Sequence, residues 1–179
     1  MGPSITLVTG PARSGKSRWA EHLAGVSGLA VTYVATGGSG VDDPLWQARL
    51  ALHRQRRPPA WGCQEVGFEL ADSLNVFGAH SLVLVDSLGS WVAHGLELDG
   101  VAWQQQCHRL LTAMGNCQGS VIVVSEQAGW GVVPPTAIGG IFRDRLGELE
   151  QQVMAIATTG WLVVAGRAID VIPNSKAVP

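Results

Sequence analysis

The sequence has little that would suit a secreted, membrane-spanning or nucleic-acid-coating protein. Cysteine is scarce and odd in number, with Cys63, Cys107 and Cys117 alone. No pair has C-x-x-C spacing, so neither a zinc site nor a disulfide framework is indicated. A reducing cytosol suits such thiols, and the expected location is cytoplasmic. The start, Met-Gly-Pro-Ser, lacks the basic segment and long apolar run of a signal peptide. No apolar run approaches the roughly 18 residues of a membrane span. Charge of one sign is also missing: the formal net charge is −2 and the pI is near 6.2. This balance argues against a general nucleic-acid binder or a binder of anionic membranes. No repeat, low-complexity tract or linker interrupts the chain, so residues 1–179 are expected to form one domain. With 46% hydrophobic and 15% charged residues, the chain can bury a substantial core and is too apolar to be disordered.

What is there is an alternation of short apolar runs and longer helical patterns. Ile5–Val8, Ala30–Ala35, Leu82–Val85, Val121–Val124 and Trp161–Ala165 read as strands. Runs that are apolar on both faces suit a parallel sheet covered by helices. Lys16–Ala24, Asp43–Gln55, Phe68–Phe77, Val101–Met114 and Thr136–Ala157 read as helices, with Leu88–Leu96 as a further short one. Arg167–Ile172 reads as an edge strand stopped by Pro173. The pattern predicts an α/β doubly wound fold. Ligands bind such folds beyond the carboxyl ends of the strands, which singles out the loops after Val8, Ala35, Val85 and Val124.

The first of these loops carries the chemistry. Gly10-Pro11-Ala12-Arg13-Ser14-Gly15-Lys16-Ser17 matches G-x-x-x-x-G-K-[ST] between a strand and a helix, the context a phosphate-binding loop requires. Glycines let successive backbone N–H groups face one anion, and the helix N-terminus adds partial positive charge. Lys16 is placed for the β- and γ-phosphates and Ser17 for Mg²⁺. Leu82-Val-Leu-Val-Asp86 is an apolar strand ending in an acid, a pattern in which the carboxylate holds Mg²⁺ directly or through water. Many strands end in Asp merely as a cap, so this signal draws its force from the P-loop. Gly37-Gly38-Ser39-Gly40 lacks the G-x-G-x-x-G pattern and reads as a flexible loop.

A P-loop does not by itself separate a kinase from a motor or a switch. Arg49 and His53, four apart, share a helix face, and Arg54, Arg56 and Arg57 follow around Gln55. An imidazole among guanidiniums suits attack on a phosphate, because nearby positive charge disfavours the imidazolium and keeps the ring nucleophilic. From spacing alone, the simpler alternative of a solvated basic helix end is the better one.

Several motifs in order change that balance. They are VTGPARSGKS (Val8–Ser17), TYVAT (Thr32–Thr36), Asp42 through Arg49, His53, Arg57-Pro58 and Trp61 to Glu65, LVDSL with Trp91, GWGVVP (Gly129–Pro134) and FRDRLG (Phe142–Gly147). Together the chain resembles the bifunctional adenosylcobinamide kinase/adenosylcobinamide-phosphate guanylyltransferase family of cobalamin biosynthesis. The resemblance implies a P-loop, RecA-like sheet and two reactions. One phosphorylates the aminopropanol hydroxyl of adenosylcobinamide with ATP or GTP. The other moves GMP from GTP onto that phosphate, through a GMP-histidine intermediate, giving adenosylcobinamide-GDP and pyrophosphate. His53 matches the histidine. Ala35, Thr36, Gly37, Arg54, Gln55, Arg56, Arg57, Glu65 and Asp86 fall at nucleotide-contacting places, and the family is a homotrimer. The corrinoid and the nucleotides are then the partners.

The chain departs from the family pattern in places. Glu126-Gln127 stands where an Asn-Glu or Glu-Glu pair is usual, so a carboxylate that serves metal or substrate is expected to be lost. Arg54-Gln55-Arg56 and His94 also differ. His22, His80 and His108 read as structural or exposed. Trp130, between glycines, reads as a turn residue or as a platform for a corrinoid face. Two other functions fit the P-loop less well: a small-molecule kinase with no covalent step, and a RecA-like ATPase module.

Overall fold

The computed structural model describes residues 4–37, 57–131 and 134–179. Seven strands form one sheet: β1 (Ile5–Thr9), β2 (Ala30–Ala35), β3 (Gly62–Glu65), β4 (Ser81–Asp86), β5 (Ser120–Val124), β6 (Thr159–Val164) and β7 (Arg167–Asp170). Their order is β3-β2-β4-β5-β1-β6-β7. All pairings are parallel except β6 with β7. Among the described residues the α-helices are α1 (Lys16–Gly25), α2 (Leu70–Ser73), α3 (Leu88–His94), α4 (Gly100–Asn116) and α5 (Ala137–Ile156). This is the P-loop α/β arrangement expected from the alternation of patterns.

The sheet divides the core in two, as the period-2 alternation of strand side chains demands. Leu82 and Leu84 join Val8, Ile122, Val124, Ala20 and Ala24 on the face covered by α1. Val83 and Val85 join Leu7, Val121 and Val123 on the other face, under side chains from α2 to α5. Ala20 and Ala24 are the small residues that let α1 lie close on the sheet. In α4, Trp103, Cys107, Leu110 and Met114 recur at helical spacing and are buried. Burial pushes the Cys107 thiol up to about 11, so it behaves as a core residue. Side chains cap three helices: Ser87 for α3, Asp99 for α4 and Thr136 for α5.

Two expectations are corrected. The Phe68–Phe77 helix is only one α-helical turn, α2, followed by a 3-10 turn over Leu74–Val76. Gly67 before it has positive φ, and Phe77 is already extended. The strand β3 was not expected, since Gly-Cys-Gln-Glu is polar and exposed along its length. It forms by adding to the edge of β2, where backbone pairing needs no apolar side chain. The Asp43–Gln55 helix lies outside the described residues.

Arg145, within the FRDRLG motif, explains how α5 is tied to the α3–α4 connection. Its guanidinium donates to the carbonyl oxygens of Gly95 at 2.7 Å and Leu98 at 2.7 Å, and lies 4.9 Å from the Trp103 ring centroid. Replacing it removes charge-assisted donors from half-buried carbonyls. Arg145→Met is expected to lower unfolding free energy by about 2–3 kcal/mol in urea titration. A loss below about 0.5 kcal/mol would show the contacts to be ornamental.

Candidate functional site

The loop Gly10–Ser17 follows β1 at its carboxyl end and closes over the start of α1. It can curl this tightly because of two glycines. A Cβ at Gly10 would run into the Val163 carbonyl oxygen of β6. Gly15, the N-cap of α1, has φ 103, a left-handed value that other residues rarely take. Arg13, at φ 58, is left-handed as well. Two backbone bonds pin the loop from either side. Gln127 N–H donates to the Gly10 carbonyl at 3.1 Å, and Gly166 N–H donates to the Ser14 carbonyl at 3.0 Å.

Lys16 is 8% exposed, and its ammonium makes one long bond, 3.5 Å to the Pro11 carbonyl. Ser17 lies in the first turn of α1, half-buried. Ser14 is buried with its hydroxyl oxygen unpartnered. A buried cation with so little compensation, at a helix N-terminus, is prepared for an anion.

Asp86 ends β4, one strand removed from β1, because β5 lies between them. Tyr33 donates its hydroxyl to the Asp86 carboxylate at 3.1 Å. Burial, then the Asp86 charge, raises the tyrosine pKa far above its ordinary value, so it stays a donor. Thr36, fully buried, donates to the Ser87 carbonyl at 2.6 Å and accepts from its N–H at 3.0 Å. His94, exposed on α3, bonds the Thr36 carbonyl through Nε2 at 2.8 Å. Ala35 and Gly37 flank Thr36 at the end of β2, and Glu65 is the last residue of β3. Arg57 stacks over the Tyr33 ring at 3.6 Å. His53, Arg54, Gln55 and Arg56 lie outside the described residues, as do Arg49 and the Gly38–Gly40 stretch. His22, His80 and His108 are exposed, and Trp130 is 58% exposed in a 3-10 turn.

Two carboxylates complete the polar floor. Glu126 accepts from Gly89 N–H at 3.0 Å, and Gly89 has no Cβ to block it. Burial raises its pKa, the Asp86 charge adds to the rise, and Lys16 opposes it. The rule that picked out Asp86, an acid closing an apolar strand run, would have found Glu126 too. The Gln127 side chain bonds to α5 and to the end of β1. Its amide donates to Glu150 at 2.7 Å and to the Thr9 hydroxyl at 3.1 Å. It is thus the partner of a buried helix carboxylate, which burial pushes up and the Thr9 and Gln127 bonds pull down. No pattern in the sequence points to this contact, since Gln127 and Thr9 are 118 residues apart.

The donor set suits Mg²⁺. Among the described residues no three His, Cys, Asp or Glu gather as a metal cage. The Ser17 hydroxyl and the Asp86 carboxylate are hard oxygen donors, the kind that hold Mg²⁺ when phosphates and water complete its shell.

Comparisons with known proteins span most of the chain. The family described as cobinamide kinase / cobinamide phosphate guanyltransferase (CobU) matches residues 6–171. The bifunctional adenosylcobalamin biosynthesis protein CobP of Pseudomonas aeruginosa is 38% identical over 167 residues, covering 89% of this chain and 92% of that one. The corresponding CobU protein of Escherichia coli is 34% identical over 182 residues, covering 93% and 99%. A solved structure from Pyrococcus horikoshii OT3, PH0250, shares the fold with a TM-score of 0.57 at 8% identity, covering 94% of this chain and 86% of that one.

The Gln127–Glu150 contact predicts a pH signature. Glu150 has a folded pKa above its unfolded value of about 4.5. The stability it confers is therefore fully present below that unfolded value and is lost as pH rises through the folded one. Glu150→Gln keeps an acceptor for Gln127, so its stability relative to the parent should increase from pH 4.5 to pH 8. Gln127→Glu should do the opposite, losing on the order of 1–3 kcal/mol at pH 8 and recovering in acid, as two carboxylates come to share a proton. Urea titrations at both pH values check this; parallel pH profiles for all three proteins would contradict it.

Proposed function

The chain belongs to the cobinamide kinase / cobinamide phosphate guanyltransferase family, and from that premise we propose how its residues divide the two reactions. It is a bifunctional transferase of cobalamin biosynthesis, with nucleoside triphosphates and a corrinoid as substrates. The observation that carries the assignment of roles is the buried Lys16 at the α1 N-terminus, opposite Glu126 and Asp86.

In the kinase step the loop amides and Lys16 hold the phosphates of ATP or GTP. The aminopropanol oxygen of adenosylcobinamide attacks the γ-phosphorus as the bond to the bridging oxygen breaks and the hydroxyl proton is released. Lys16 offsets the negative charge that builds up on the departing phosphates. Ser17 and Asp86 would hold Mg²⁺, which would neutralise phosphate charge. Tyr33 fixes the orientation of the Asp86 carboxylate.

In the transfer step neutral His53 attacks the α-phosphorus of GTP and pyrophosphate leaves. The cobinamide phosphate then attacks the phosphoramidate and takes GMP, returning the imidazole. Ala35, Thr36, Gly37, Arg54, Gln55, Arg56, Arg57 and Glu65 are read as the surroundings of this nucleotide on the strength of the family motifs, and for Ala35, Thr36, Gly37 and Glu65 also of their positions at the ends of β2 and β3. The same resemblance supports a cytoplasmic homotrimer of single-domain chains. No helix among the described residues is long and apolar enough to cross a membrane.

Two substitutions separate the halves. His53→Asn should lose covalent labelling by α-labelled GTP and lose guanylyl transfer, yet keep most of its kinase rate. Lys16→Ala should lower kinase turnover by about a hundredfold or more, the usual cost of losing one preorganised transition-state contact. Both reactions are assayed on one folded preparation of each variant. Full labelling of the His53 variant would move the nucleophile elsewhere, and an unimpaired Lys16 variant would remove the P-loop from the kinase reaction.

A further inference from the structure

The P-loop has two flanks, and they differ in character. On the β5–β4 flank stand the carboxylates Glu126 and Asp86. On the β6–β7 flank lies a cleft of about 280 Å³ lined by Gly15, Arg18, Trp19, Val163, Gly166 and Ala168. This volume approaches the range of small-molecule sites, and the cleft opens to solvent beside the loop.

The cleft is a consequence of the local sequence. Ala165 and Gly166 have φ 50 and 76, giving a two-residue hairpin turn between β6 and β7. That turn is bonded to the loop at Ser14. The Arg18 guanidinium comes within 3.7 Å of the position a Gly15 Cβ would take, and Gly166 Cα within 3.8 Å. Ala168 and Asp170 share one face of β7, opposite Val163 and Trp161 on β6. Trp161 in turn meets the Trp19 ring edge-on at 5.1 Å.

Arg18 is exposed, and among the described residues it makes no hydrogen bond or ion pair. An apolar wall and a guanidinium, beside a phosphate site, form a set that matches a purine nucleoside. The base is a flat apolar ring with polar edges, and a guanidinium stacks well on such a face.

We propose that this β6–β7 cleft takes the purine nucleoside of the kinase-step triphosphate, whose phosphates lie on the P-loop. The inference rests on the kinase reading given above and adds a position for the nucleoside. A nucleoside here leaves the carboxylate flank open for Mg²⁺ and the acceptor hydroxyl. It also leaves the ends of β2 and β3, three and four strands from β1, for the guanosine of the transfer step. The two reactions then use separate nucleoside positions.

The test compares ATP with inorganic tripolyphosphate, each with Mg²⁺, by calorimetry. Tripolyphosphate reports the P-loop alone, so the ratio of the two affinities isolates the nucleoside. In the parent protein ATP should bind more tightly. Ala168→Phe, which fills the cleft, should reduce that advantage about tenfold or more while tripolyphosphate affinity stays unchanged. Arg18→Gln, remote from the β-strand packing, should reduce the same ratio. Covalent labelling by α-labelled GTP should persist in the Ala168 variant. An undiminished ATP advantage in both folded variants would overturn the cleft assignment. Loss of labelling in step with ATP affinity would overturn the separation of positions. If the parent bound neither ligand, the P-loop reading itself would fail, a result distinct from either.

Discussion

A buried ammonium with almost no partner sets the terms for the rest of the site. Lys16 is held in a dry position by a loop that cannot relax away from it. The backbone at Gly10 is pressed against β6, Gly15 is left-handed, and the segment after β5 and the β6–β7 turn bond the loop carbonyls. Holding a cation in this state costs free energy unless an anion arrives. The sheet and α1 supply the rigidity that sustains the cost, and triphosphate binding recovers it. Glu126, after β5, and Asp86, at the end of β4, supply negative charge nearby.

The polar floor behind the loop explains how carboxylates can be placed so close to the core. Each has a fixed donor: Tyr33 for Asp86, Gly89 N–H for Glu126, Gln127 for Glu150. Gln127 in particular is committed to holding α5 against β1, through Glu150 and Thr9. The departure from the family pattern at this position therefore falls on a residue that braces the floor. Positions at the ends of β2 and β3 lie on the far side of β4, so the site spreads along the sheet edge. That breadth suits an enzyme that handles two phosphorus centres and a bulky corrinoid.

Much of this was legible in the residues. The P-loop is readable because phosphate chemistry dictates glycine, lysine and hydroxyl at fixed spacing. The buried strands are readable because a parallel sheet must be apolar on both faces. Asp99 and Thr136, ahead of apolar helical runs, sit where side-chain caps belong. The strand β3 was not legible, because its order comes from backbone pairing to β2. The shortened α2 was hidden because apolar spacing does not distinguish an α turn from a 3-10 turn. The contacts of Gln127 with Glu150, of Arg145 with Gly95 and Leu98, and of Trp19 with Trp161 join distant segments, and no local pattern encodes them. Glu126 was within reach and was passed over as half of a variant pair.

The central claim is that this one chain works at two phosphorus atoms, phosphorylating cobinamide and then guanylylating the product. It is tested most directly by following both labels into the product. Adenosylcobinamide is incubated with the chain, ATP and GTP in two parallel reactions. In one both nucleotides carry label at the γ-phosphorus, and in the other GTP carries it at the α-phosphorus. The account predicts an adenosylcobinamide-GDP product labelled in both reactions. Label from the γ position alone, or no corrinoid product labelled from the α position, would contradict it.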